Sequence, residues 1–184
     1  GAVWLAGRCR RYRRAADKRD ETDSLTGIGN ETYLSRNFER FVVRENRALY
    51  AMVYFYADTD KMRKTRSSEE TDGFVRRMAS ALLGFTGERD ILARVSDQGF
   101  VMVRMCPGDE ELRQWVLSVL ARVRGVGEDH GRYVSAGMCR LKDGDWDLDG
   151  CLLHVSQAAR AACGEDLDYK VCTDSWIRQF REER

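Results

Sequence analysis

Residues 93–103, ARVSDQGFVMV, put an acid and an amide at one tight bend. Apolar, alternating residues flank the polar knot Ser96-Asp97-Gln98-Gly99, a pattern that predicts a β-hairpin turning near Asp97 to Gly99. A loop tip of this kind often faces a ligand, because binding residues concentrate on loops held by a rigid scaffold. A second candidate is KMRKTR, residues 61–66. Such a run either grips phosphate or is a solvated loop, the ordinary fate of surface charge. Just before it stand Asp58, which closes a long apolar run, and Asp60, which reads as a local cap or ion-pair partner. The six cysteines are scattered singly, no CxxC pair occurs, and only His130 and His154 accompany them. That pattern argues against zinc. The cysteines read as reduced thiols, since this apolar chain does not need a disulfide framework, and both histidines read as structural.

These residues require elements to position them. ALYAMVYFYAD, residues 48–58, is a nearly continuous apolar run that predicts a buried central strand ending at Asp58. Its aromatics Tyr50, Tyr54, Phe55 and Tyr56 read as strand packing. Asn30 is placed to cap a helix over 31–46, with Tyr33, Leu34, Phe38, Phe41 and Val42 on one face. A polar loop follows the central strand. Helices are then expected over 71–85, with Phe74, Val75, Met78, Leu82 and Leu83 inward, and over 108–125, with Leu112, Val116, Val119, Leu120 and Val123 inward. RYVSAGMCRL predicts a strand, DLDGCLLHVSQAARAACG a helix, DYKVCT a short strand, and DSWIRQFREER the start of another helix. The fold class is α+β, an α/β sandwich. Its order resembles the βαββαβ core of nucleotide cyclase palms, a mostly antiparallel sheet flanked by helices. On that template Asp58 and the Ser96–Gly99 turn face one cleft.

A chain of 184 residues suits one domain with a helical appendage, and its net charge of +1 points to no nucleic-acid partner. The positive charge is uneven, because RCRRYRR packs five arginines into residues 8–14. The apolar AVWLAG before it is too short to span a bilayer, which takes about 20 residues. An apolar end followed by a basic block resembles the cytoplasmic exit of a membrane helix, and equally an ordinary helix start with solvated arginines. In the first case the chain is the cytoplasmic domain of an inner-membrane protein, tied to the membrane through a segment preceding it. The expected organisation is a connector helix over 1–22, a domain over 23–173 and the start of a linker helix over 174–184.

Five segments, in order, resemble the GGDEF or diguanylate cyclase family. DSLTGIGN is similar to D-x-L-T-G-L-x-N, and ADTDKMRK to the D-x-D-x-F-K segment. TDGFVRRMA is similar to the G-D-x-x-L-x-x-[VA]-A helix, and VSAGM to the S-x-G strand. RVSDQGF stands where R-x-G-G-D-E-F belongs, anchored by Arg94 and Phe100. The resemblance implies the bacterial chemistry that joins two GTP into cyclic di-GMP, with divalent metal polarising phosphate.

The departures bear on function. Of the acids that the resemblance assigns to metal, Asp58 is kept. The third signature position is Gln98, a neutral amide where a hard cation favours charged oxygen, and the fourth is Gly99. Asp97 is one residue out of place, which in a strand turns it to the other face. Ser96 and Asp97 replace glycines that would let backbone approach the nucleotide. The guanine-reading Asn and the Asp after it fall at Arg66 and Ser67, and the loop there is shortened to SEE. The later phosphate lysine and its tyrosine fall at Cys163 and Arg160. The feedback motif R-x-x-D has Gly87 and keeps only Asp90. Asp72 and Arg63 remain as nucleotide-contact candidates.

The sequence therefore reads as a catalytically inactive, degenerate GGDEF-like domain, a regulatory or dimerisation module in cyclic di-GMP signalling. It would work as a homodimer or beside an EAL domain following the linker helix. The alternative is a GTP sensor without turnover using Asp58, Arg63 and Asp72, and the less favoured one an active cyclase using Asp97. No cofactor is expected, with Mg entering only if the remnant site still binds GTP.

Overall fold

A computed structural model describes residues 20–141 and 147–173. The expectations for the N-terminal connector, the basic block and the linker helix fall outside these residues. Strand β1, Tyr50–Ala57, is buried at all eight positions. Its alternating side chains enter two cores. Ala51, Val53, Phe55 and Ala57 face one cluster, and Tyr50, Met52, Tyr54 and Tyr56 face the other. β2 (Ile91–Ser96), β3 (Gly99–Met105), β4 (Val134–Arg140) and β5 (Tyr169–Val171) complete a sheet of order β2-β3-β1-β4-β5. β1 pairs antiparallel with β3 and β4, and β4 pairs parallel with β5. This is the expected α+β arrangement of the cyclase-palm type.

The helices are α1 (Glu31–Phe41), α2 (Thr59–Arg63), α3 (Ser68–Leu83), α4 (Asp109–Val126) and α5 (Leu148–Gly164). α3 and α4 cover the first core, and α1 and α5 cover the second. Asn30 caps α1 as expected, its side chain accepting from Tyr33 N at 3.1 Å. α1 ends five residues earlier than its apolar pattern predicts. Val42 turns extended, and the Asn46 amide donates to Phe41 O and accepts from Val43 N, both at 2.9 Å. A side chain that satisfies the end of the helix stops it there.

The expected loop between β1 and α3 is largely helical. Asp58 caps α2, and Ser67 opens α3 in a capping box with Glu70. The SEE segment is thus the first turn of α3 rather than a shortened loop. Leu83, expected inward, is exposed on the last turn of α3. The five inward residues predicted for α4 are all buried.

Gly137 of β4 permits the close seat of α5. A Cβ there would lie 2.1 Å from Val155 O and 2.6 Å from Ala159 N. At the other end of β4 the buried Arg140 donates to Asp109 at 2.9 Å, to Ala48 O at 3.2 Å and to Pro107 O. It joins the start of β1 to the β3–α4 connection. Gly137→Ala is expected to destabilise the fold by about 2–3 kcal/mol, since backbone cannot move aside as a side-chain tip can. Urea unfolding checks this, and an unchanged midpoint would mean that α5 sits looser on β4.

Candidate functional site

The end of β1 and the hairpin tip are bonded through backbone. Ala57 N donates to Gln98 O at 2.8 Å, and Tyr56 pairs with Gly99. Asp58 N donates to Tyr133 O at 3.0 Å, from the 3-10 turn before β4. The predicted neighbourhood of Asp58 and the Ser96–Gly99 turn is therefore present. The hairpin has a two-residue turn, Asp97-Gln98, with Ser96 paired to Gly99.

The side chains at this junction serve local structure. Asp58 Oδ1 accepts from Lys61 N at 3.1 Å and caps α2. Asp97 turns toward Arg94, with Oδ1 3.6 Å from Nη2, and is itself largely exposed. It lines a cleft of about 290 Å³ together with Asn30, Glu31 and Thr32, on the α1 side of the hairpin. Ser96 Oγ lies 3.3 Å from the Tyr54 hydroxyl and accepts from Gln98 N at 3.3 Å. Phe100 is fully buried beside Phe55. A Cβ on Gly99 would lie 1.8 Å from the Tyr54 hydroxyl. The fourth signature position thus has no room for a side chain while Tyr54 keeps its place.

Arg63 and Asp72, the two nucleotide-contact candidates, are brought together and face each other at 3.8 Å; Arg63 also reaches Asp60 at 3.9 Å. Arg66 pairs with Glu70 at 3.8 Å. Asp90 accepts from Gly87 N at 2.8 Å, closing the turn before β2. A divalent cation would find a poor donor set here. Of the two carboxylates here, Asp97 turns toward Arg94 and Asp58 has one oxygen already engaged by the α2 backbone. Among the described residues no group of three or more His, Cys, Asp or Glu is placed to hold a metal ion. A hard ion of the magnesium type takes charged or carbonyl oxygens with little tolerance in geometry.

A cluster that the sequence reading left unconnected lies behind Asp58. The Arg160 guanidinium stands 5.2 Å over the Tyr56 ring. Burial, then the negative charge of Asp58, pushes the Tyr56 hydroxyl up to about 12, with Arg160 opposing. Burial and Asp58 also raise the Cys163 thiol, which donates to Tyr133 O at 3.8 Å. The two positions where the resemblance implies a phosphate lysine and its tyrosine, Cys163 and Arg160, therefore both face the Asp58 end of β1. The signal was available: Tyr54 and Tyr56 alternate with Asp58 on one strand face, and residues 160 and 163 are one helical turn apart.

The loop DSLTGIGN is fastened to the hairpin by charge. Arg94 Nη1 lies 3.2 Å from Asp23, whose other oxygen accepts from Thr26 N and Oγ1 at 2.9 and 2.6 Å. Arg94 N donates to Gly29 O at 2.8 Å, covering the edge of β2.

No protein-family model and no curated protein matches the chain. Solved structures do. The S helix-GGDEF-EAL portion of Vibrio cholerae LapD, bound to c-di-GMP, aligns with a TM-score of 0.71 at 20% identity. The match covers 94% of this chain and 41% of that one, so the chain spans about two fifths of that structure. The coiled coil and GGDEF domain of DgcB from Caulobacter crescentus, in complex with c-di-GMP, aligns with a TM-score of 0.76 at 14% identity, over 94% of this chain and 95% of that one. The FimX GGDEF domain from Pseudomonas aeruginosa aligns with a TM-score of 0.65 at 16% identity, over 82% and 98%. The fold is that of a GGDEF domain.

Two outcomes test this geometry. Gly99→Glu should destabilise the protein by roughly 2 kcal/mol or more. In a double-mutant cycle with Tyr54→Ala the two changes should couple by about 1–3 kcal/mol, and additivity would show that the tyrosine is not the obstacle. Tyr56 should ionise near pH 12 in an ultraviolet titration. Its neutral form is favoured by folding, so its contribution to stability is full below pH 10 and is lost between about pH 10 and 12. Asp58→Asn should lower that pKa, and Arg160→Gln should raise it.

Proposed function

We propose that this chain is a GGDEF-fold module of cyclic di-GMP signalling that performs no catalysis and acts as a regulatory or dimerisation unit. The observation that carries the reading is the hairpin tip. The acid positions hold Gln98 and Gly99, Tyr54 fills the space a Gly99 side chain would need, and Asp97 faces Arg94. Catalysis of phosphoryl transfer rests on charge stabilisation by metal and cation, and the donors for it are few here. The LapD match supports the regulatory part, since that structure joins a GGDEF domain to an S helix and an EAL domain. The unit would then pass a change in the N-terminal connector to a domain after residue 173, or to a second copy of itself. Among the described residues no helix is long and apolar enough to cross a membrane.

A GTP sensor without turnover is the second reading, favoured by the survival of Arg63 and Asp72 in one place. Against it, the two neutralise each other at 3.8 Å, and a nucleotide would have to replace that pair. Calorimetric titration with GTP and magnesium, with ATP as control, separates the readings. The module reading expects no saturable GTP-selective heat and no cyclic di-GMP product. Selective binding that Asp72→Ala abolishes would favour the sensor, and product formation would overturn both.

A further inference from the structure

The β2–β3 hairpin is not a continuous ladder. The strands pair in register up to Arg94 and Phe100, the register then shifts past Val95, and Ser96 with Gly99 closes the pairing at the tip. The extra residue is a β-bulge, which locally disrupts the ladder where it sits. The tip is therefore joined to the body of β2 through a weakened step, and one side chain spans that step. Arg94 Nη2 donates to Asp97 O at 3.3 Å and lies 3.6 Å from Asp97 Oδ1.

The same guanidinium holds the segment Asp20–Asp23. Its Nη1 donates to Asp23 Oδ1 at 3.2 Å and Oδ2 at 3.4 Å. Asp23 is a fixed partner. Thr26 N and Oγ1 donate to its Oδ2, its own N donates to Ile28 O at 2.8 Å, and its O accepts from Gly27 N at 2.8 Å. Asp20 and Glu21 are tied to the start of α1 through Asn30, whose Nδ2 donates to Asp20 O at 2.7 Å and whose N donates to Glu21 O at 2.9 Å. Glu21 also pairs with Arg36 of α1. The side chains of Arg94 and Asp23 are 9% and 16% exposed, against 84% for Asp97. The Asp23 contact, largely out of water, is thus the strong arm. At the tip the Asp97 carbonyl matters more than its carboxylate, because an exposed ion pair contributes little.

We propose that Arg94 couples the segment Asp20–Asp23 to the hairpin tip, so that a displacement of one is passed across the bulge to the other. From the tip it reaches the end of β1, because Ala57 N donates to Gln98 O at 2.8 Å. The main-chain tie from Arg94 N to Gly29 O, also 2.8 Å, holds the loop to β2 on the near side of the bulge and stops there. The guanidinium is the link that crosses. Its planar fork meets two acceptors at once, which the single ammonium of a lysine does not reproduce. The use of this coupling rests on the module reading, to which it gives a named contact on the N-terminal side. Coupling of this kind is reciprocal, so a change at the tip is equally felt at Asp23.

The test is amide hydrogen exchange of the full chain without nucleotide, read residue by residue by NMR. Each rate is compared with that of Phe55 in the buried middle of β1, which reports opening of the whole fold. Asp23→Asn should speed exchange at Ala57 and Gln98 about tenfold relative to Phe55, and Arg94→Lys should do at least as much. The double variant should match Arg94→Lys alone, because both changes break one link. Glu21→Gln releases the same segment from Arg36 without touching Arg94, and should leave the tip rates within about twofold. Unchanged tip rates in Asp23→Asn, additive effects in the double variant, or a tip loosened as much by Glu21→Gln would overturn the proposal. So would Ala57, Gln98 and Phe55 rising together, which marks a variant that only weakens the fold. Such a failure leaves the module reading standing, and selective GTP binding would remove that reading without touching this contact.

Discussion

The double burial of β1 is the constraint on which the rest of the structure depends. A strand with all eight residues out of water must be covered on both faces and flanked on both edges, because each backbone N–H and C=O needs a partner. β3 and β4 supply the edges, α3 and α4 one face, α1 and α5 the other. Once that is fulfilled, the end of β1 has one position. Ala57 N meets Gln98 O, Asp58 N meets Tyr133 O, and the hairpin tip, the strand end and the turn before β4 are joined by main chain alone. Those bonds themselves need no side chain. A scaffold of this kind can keep its shape while the side chains at the junction vary.

Much of this was legible in the sequence because it rests on burial periodicity and local capping. The apolar run 48–58, the inward set of α4 and the Asn30 cap follow from short-range rules, and the structure repeats them. The end of α1 was not legible, because it turns on the Asn46 amide folding back on Phe41 O rather than on an apolar period. The stretch after Asp58 read as loop because its helices announce themselves by caps, Asp58 and Ser67, and not by an amphipathic stripe. Asp58 illustrates the limit at the site. Its place at the end of β1 follows from the pattern, but that its carboxylate serves the α2 backbone depends on where Lys61 lies. The Tyr54–Gly99 contact joins residues 45 positions apart and is set by strand register, which pattern alone does not give.

Electrostatics around Asp58 runs opposite to what a metal site needs. A site for a hard cation gathers several carboxylates whose mutual repulsion the ion relieves. Here Asp58 stands beside a buried phenol and a half-buried thiol, both pushed toward their neutral forms, with Arg160 laid across the ring. The arrangement sets Arg160 against the charge of Asp58 at the Tyr56 hydroxyl. It also binds α5 to the end of β1, since Arg160 and Cys163 belong to α5 and Tyr56 to β1.

A regulatory module of the proposed kind needs an element that answers to more than one place. α5 has that position. Its last turns carry Arg160 and Cys163 to the Asp58 junction, its middle rests on the Gly137 backbone with no room for a Cβ, and its first turn carries Cys151 to Arg47. A helix seated so closely at its centre has its freedom to differ at its ends. Coupling of this sort needs two arrangements of α5 with different contacts. The contacts that distinguish them would be those at its ends, one set built on Arg160 over the Tyr56 ring and the other on Arg47 against Cys151, because the centre allows only one separation from the sheet.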